Sequence, residues 1–232
     1  MRPCDVQKVQ RIALLFAVPP PQRDQDWKRT FYRDVIDASF TVGDPQFFVG
    51  PDGFPYLSLL SPEPFKPFEP HCLCNISDQA VDQGFGVAIN RLDSSVDWVF
   101  SCGDLLTLQL HKAFELEGAP SSSKLPSQET ISKGETVLVG QPADSYLPKA
   151  ARANIRGFLE KRIGLRDPGV YLLYRPSADP PQQLVFSVFR DEFDSEERFQ
   201  SVLQGISWYL PRHYVVVALP SRQGQPSDFS PL

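Results

Sequence analysis

An α+β protein of two domains is predicted by three observations. Residues 135–220 read as strand, helix, strand, strand, helix, strand, each with the period its type requires, which is the order of a split β-α-β (ferredoxin-like) domain. Residues 117–134 are rich in Ser, Gly and Pro without apolar periodicity, the composition of a linker. Residues 1–116 carry one amphipathic helix, a hairpin signal and further strand-like runs, enough for a small α+β domain of their own.

In the first domain the apolar run 12–18 follows Arg2, Lys8 and Arg11 and stops at Pro19-Pro20-Pro21. It sits at the lower limit of a signal-peptide core and lacks a small-residue cleavage site, so it reads as a strand or a docked arm. A helix over about 25–39 places Trp27, Phe31, Val35 and Ile36 on one side. Residues 46–49 and 56–60 flank Gly50-Pro51-Asp52-Gly53 as a hairpin. Residues 86–90 and 95–100 are two more strands, joined by a turn over 91–94.

In the second domain residues 136–139 form a short buried strand ended by Gly140. The helix after it is capped by Ser145, tolerates Pro148 in its first turn, aligns Leu147, Ala151, Ile155, Phe158 and Leu159, and stops at Gly164. Residues 170–174 and 184–189 are β-rich and pair antiparallel across the proline-rich loop 176–181. Asp194 or Ser195 caps the next helix, with Glu197 in a capping-box arrangement and Phe199, Val202, Leu203, Ile206 and Leu210 as its stripe. Pro211 ends it, and the continuously apolar run 214–219 is the last strand, expected in an interior position covered by helices. A four-stranded antiparallel sheet with both helices on one face is the expected result. Residues 221–232 are polar and Pro/Gly-rich and read as a mobile tail.

Composition excludes several function classes. Hydrophobic residues make up 41% and charged residues 22% of the 232, which rules out disorder throughout. A net charge of -5 without a basic run argues against a nucleic-acid binder. Nothing approaches the length of apolar chain needed to span a bilayer. Four unevenly placed cysteines, Cys4, Cys72, Cys74 and Cys102, suggest no disulfide framework, so reduced thiols in a cytoplasmic protein are expected.

Residues 134–142 (GETVLVGQP), Val170-Tyr171-Leu172 and Trp208-Tyr209-Leu210-Pro211 ahead of the final strand, with Asp52-Gly53 and residues 86–90 in the first half, resemble the SseB family of enhanced-serine-sensitivity proteins. The likeness covers most of residues 25–220. The first half departs from the pattern in its Pro-rich spacing over 61–70 and in the cysteine pair that follows. The resemblance implies a bacterial, cytosolic protein with separate N-terminal and C-terminal domains and a serine-sensitivity phenotype, and it carries over no catalytic residues.

Candidate chemistry is sparse. His71-Cys72-Leu73-Cys74 could bind Zn²⁺ or a soft metal with Cys102 or His111, but the spacing is poor. On a strand, Cys72 and Cys74 share a face, where cysteine is usually a small buried hydrophobe. Asp191, Glu192, Asp194, Glu196 and Glu197 could hold a hard cation, yet an acidic first turn complementing the helix dipole accounts for them. His71, His111 and His213 are far apart and no nucleophile elbow accompanies them. Gly84-Phe85-Gly86 lacks the third glycine of a dinucleotide fingerprint, and Asn75-Ile76-Ser77 is a chance glycosylation sequon in a chain without a secretory signal. Phe65, Phe68, Trp208 and Tyr209 read as lids over the small cores rather than interface anchors.

The sequence therefore predicts no catalytic, cofactor-binding or metal residues and no cofactor. It predicts a non-enzymatic interaction or regulatory module with another protein as partner, and self-association as an alternative. An amino-acid sensor is the second reading, and an enzyme or metal protein using Cys72 and Cys74 the third.

Overall fold

The computed structural model describes residues 3–91, 95–116, 135–221 and 229–232. The chain divides into two compact units, Met1–Ala119 and Pro120–Leu232. The stretch 117–134, read as a linker, lies outside the described residues, as do 92–94 of the turn between the third and fourth strands.

The first unit runs α1 (Gln7–Phe16), α2 (Gln25–Val35), β1 (Thr41–Val49), β2 (Pro55–Leu60), α3 (Leu73–Gln83), β3 (Gly86–Ile89), β4 (Trp98–Phe100) and α4 (Cys102–His111). Its sheet has the order β1-β2-β3-β4, with the middle pair parallel and the outer pairs antiparallel. The predicted hairpin and the antiparallel pairing of β3 with β4 are both present. The run 12–18 is not a strand: its residues up to Phe16 fall in α1, which buries Ile12 and is held by the Trp27 indole N–H donating to the Leu15 carbonyl at 2.9 Å. Asp24 caps α2 by accepting from the Trp27 backbone N–H. Phe31 then lies fully buried among Phe16, Trp27, Trp98 and Phe100, with ring centroids 4.7 to 6.1 Å away. This aromatic cluster fixes α1 and α2 on the sheet.

The second unit runs β5 (Leu138–Gly140), α5 (Lys149–Gly157), β6 (Gly169–Tyr174), β7 (Gln182–Phe189), α6 (Glu196–Trp208), β8 (Val215–Leu219) and β9 (Ser230–Pro231). The elements occur in the predicted order, but the sheet differs from the ferredoxin-like expectation. It has five strands among the described residues and is mixed, with the order β5-β6-β7-β8 and with β8 parallel to its direct neighbour β7, so the predicted last strand ends the row instead of taking the expected interior position. In a split β-α-β unit another strand lies between the two strands that a helix connects. Here α6 links two adjacent strands, and α5 links the antiparallel neighbours β5 and β6.

Both faces of this sheet are apolar, as a parallel pair buried on both sides requires. Tyr171, Leu173, Val185, Phe189, Val215, Val217 and Leu219 form one buried cluster, with Val137 and Phe229 packed against it. Phe229 precedes β9, whose Ser230 and Pro231 pair with Val170 and Gly169, and Leu232 is buried. The end of the expected mobile tail is thus a bound strand. Pro148 rather than Ser145 occupies the N-cap of α5, which passes through a π-helical turn (Phe158–Ile163) before left-handed Gly164 ends it. Ser195 caps α6 by accepting from the Arg198 backbone N–H.

Candidate functional site

Among the described residues, a sulfur cluster in the first unit and an exposed apolar edge strand in the second are the candidates. In the first unit, residues 71–74 do not form a strand. Cys72 is the extended N-cap of α3, whose buried stripe is Leu73, Ile76, Ala80 and Val81 and whose end is the left-handed Gly84. The His71 backbone exchanges two hydrogen bonds with Phe40, which places Cys72 beside β1. The N-terminal arm reaches the same spot. Asp5 bridges to Ala38, the Asp5 N–H donates to Asp37 at 2.7 Å, and Lys8 forms an ion pair with Asp37.

The result is a disulfide between Cys4 and Cys72, 68 residues apart in sequence, which corrects the expectation of four reduced thiols. Cys74 carries a thiol whose Sγ lies 3.6 Å from Cys72 Sγ. The Asn75 amide Nδ2 donates to Cys72 Sγ at 3.3 Å and to Cys4 Sγ at 3.7 Å. Three sulfurs and one amide therefore meet in the first turn of α3. Cys72 is fully buried, whereas Cys74 and Cys4 are partly accessible.

Cys74 also lines a cavity of about 340 Å³ with Asn75, Asp78 and Lys112, over apolar Leu108 and Ile36. Lys112 stands in the left-handed conformation just past α4, and the exposed Asp78 lies in the body of α3, so the cavity offers both signs of charge. Cys102 is separate. It starts α4 behind a capping box of Ser101 and Asp104, and burial, aided by the Asp104 charge, pushes its thiol up to about 12. Buried and protonated, it is inert. His111 lies in the last turn of α4. No group of three His, Cys, Asp or Glu side chains placed to hold a metal occurs among the described residues.

In the second unit, β5 is an edge strand with β6 as its one strand neighbour among the described residues. The segment before it is anchored by Glu135, which accepts from Arg175 at 2.8 and 3.1 Å and from the Ser177 hydroxyl at 2.7 Å. This two-point Arg–carboxylate pair sits almost out of solvent, the geometry in which such pairs hold backbone firmly. The strand it positions is apolar and exposed, which corrects the expectation of a buried strand stopping before Gly140: Gly140 pairs within it, Leu138 is 59% exposed, Val139 51%, and Tyr174, directly opposite Leu138, 38%.

The remaining sequence candidates have structural roles. Glu196 lies in the first turn of α6, where hydrogen bonds from Gln200 and Arg190 hold its carboxyl below the usual range, and Asp194 pairs with Arg198. Gly84 is a helix end. Gly86 lies under the Tyr56 ring and the Phe100 carbonyl, where a Cβ would stand 2.5 Å from that oxygen. Asn75-Ile76-Ser77 is inside α3, with Ile76 and Ser77 buried. His213 meets the Tyr214 ring edge-on at 4.8 Å. Tyr209 is buried, as a lid over a core would be, but Phe65 is fully exposed on a loop and covers no core, which corrects the expectation for that residue.

No known protein family, curated protein or solved structure matches the chain. No helix among the described residues is long and apolar enough to cross a membrane. Sequence reasoning missed the sulfur cluster because it needs Cys4, whose position beside Cys72 is set by tertiary pairing. The Leu73, Ile76, Ala80 spacing was the signal that could have shown α3, and Ser101 with Asp104 the one that could have shown α4.

Proposed function

We propose that the chain is a non-enzymatic interaction module whose docking surface is the β5 edge, where an extended segment of a partner protein adds as a strand. The observation that carries this is the exposure of Leu138, Val139 and Tyr174 on a strand fixed from behind by the Glu135–Arg175 pair. Natural sheets normally blunt an edge with charge, proline or a covering loop, and an apolar edge left open is a template for pairing. Strand addition supplies main-chain hydrogen bonds, and apolar partner side chains at alternate positions supply selectivity. Membership of the SseB family, a bacterial cytosolic setting and a link to serine sensitivity belong to the same proposal and rest on the resemblance alone.

The test is a quantitative comparison of binding by the wild type, by L138K/V139K, and by F47K/V49K on the other sheet. Loss of partner binding in the first variant alone, with its melting temperature unchanged, supports the reading. Equal binding by all three overturns it, and a second copy of the chain as the bound species turns it into a homo-oligomer.

A second reading, amino-acid sensing, is favoured by the cavity beside α3. Its size lies at the small end of ligand sites, and Asp78 and Lys112 present the charges that an ammonium and a carboxylate require. Millimolar serine or another amino acid would then raise the melting temperature of the first unit, because a ligand of the native state must stabilise it. An unchanged melting temperature across the amino acids would remove this reading.

A further inference from the structure

We infer that Cys4, Cys72 and Cys74 form a thiol–disulfide exchange site in which Cys74 displaces Cys4 from Cys72. Exchange proceeds by attack of a thiolate on one sulfur of a disulfide, with the other sulfur leaving. Cys74 Sγ, 3.6 Å from Cys72 Sγ, is close to contact with the sulfur it would attack. The Cys74 proton passes to solvent, the Cys74–Cys72 bond forms, the Cys72–Cys4 bond breaks, and the Cys4 thiolate takes a proton from solvent. The number of disulfides is conserved and no oxidant or reductant is consumed.

The surround serves this step. The Asn75 amide already donates to Cys4 Sγ at 3.7 Å, so the leaving sulfur has a hydrogen-bond donor as its negative charge develops. Cys72 is fully buried, which shields it from soluble thiols. Cys74 opens on the cavity that holds Lys112, which is where a low-molecular-weight thiol or disulfide has access. Cys74 is therefore the sulfur through which the buried bond responds to its surroundings. Exchange unties the N-terminal arm from α3, leaving it held by the Asp5 bridge, the Lys8–Asp37 pair and Ile12. In a reducing cytosol, where lasting disulfides are rare and reversible ones act in sensing, such a site has a use.

The test is disulfide mapping of the full oxidised chain, incubated anaerobically at mildly alkaline pH without reductant, with thiols trapped by N-ethylmaleimide before non-reducing trypsin digestion. Cys72 and Cys74 lie on one tryptic peptide and Cys4 on another. The expected result is a fraction of molecules with an internal disulfide in the first peptide and one alkyl group on Cys4. C74S abolishes that fraction and C4S makes the internal disulfide the sole one. N75A, which keeps all three sulfurs, slows the appearance of alkylated Cys4. Wild-type protein that yields only the Cys4–Cys72 link with Cys74 alkylated, or no disulfide at all, overturns the inference.

Discussion

The two units share a framework and differ at its border. In each, a helix leads into an antiparallel hairpin, a second helix follows, and the next strand lies parallel to the hairpin's second strand: β1, β2, α3, β3 in one and β6, β7, α6, β8 in the other. The outer edge of the hairpin's first strand is treated in opposite ways. On β1 the register shifts between Val42 and Phe47, where Pro45 lacks a donor, and Phe40 just ahead of the strand pairs with His71. On β6 the same edge is extended, by β9 at Gly169 and Val170 and by β5 from Leu172 to Tyr174. Both edges expose apolar side chains, Phe47 and Val49 on β1 and Leu138 and Val139 on β5, but the first unit interrupts its edge strand and ties an arm by a disulfide, whereas the second adds a further strand. The common framework accounts for folding, and what is added outside it separates a sulfur cluster from an exposed apolar edge strand.

Substitutions should respect that division, and the tryptophans report it, since Trp27 and Trp98 lie in the first unit and Trp208 in the second. The largest effect is expected from Phe31→Ala, which empties the centre of the aromatic cluster. It should destabilise the first unit by about 3–5 kcal/mol, seen as an early denaturant transition in tryptophan emission while the second unit's transition stays in place. Cys4→Ser follows. Opening a loop of this length costs about 4 kcal/mol in the chain-entropy description, again in the first unit alone, and an equal shift of both transitions would contradict independent units.

Gly205→Ala strikes the other side. Its Cβ would stand 2.2 Å from the Phe158 ring, so overpacking of about 1–3 kcal/mol should lower only the second transition. Smallest is L138K/V139K, which should change neither transition by more than about 0.5 kcal/mol, because both side chains are mostly in water.

Alkaline titration sharpens the same comparison. Burial raises the Cys102 thiol in the first unit and the Tyr146, Tyr171 and Tyr214 phenols in the second, so in each case the folded state holds its proton longer than the unfolded chain. The stabilisation is complete below the ordinary value and is lost as pH rises toward the folded one. The first unit should therefore weaken between pH 9 and about 12, and Cys102→Ala should flatten that decline. The second should weaken only above pH 10, and more steeply because three groups contribute. Denaturation midpoints of the two transitions, followed against pH, decide this.

How much of this was legible in the sequence follows the range of the interactions. The stripe of α2, the hairpin, the left-handed Gly164 and the six regular elements of residues 135–220 are set by neighbours in sequence, and periodicity exposes them. Strand order is not local: a split and an unsplit β-α-β arrangement have the same element order, so the parallel pairing of β7 with β8 could not be read from it. The helix α3 was overlooked for a different reason, since reading Cys72 and Cys74 by alternation hid the helical spacing of Leu73, Ile76 and Ala80. Exposure of Leu138 and Val139 was also invisible, because a buried strand and an open edge strand have the same composition.

The docking reading is tested most directly by replacing Leu138 with a photo-crosslinking amino acid in cells, with the same replacement at exposed Gln204 on α6 as control, and mapping the products by mass spectrometry. The account predicts one abundant crosslink from position 138 to an extended segment of a single other protein, absent from position 204. Crosslinks equally weak and scattered from both positions would contradict it.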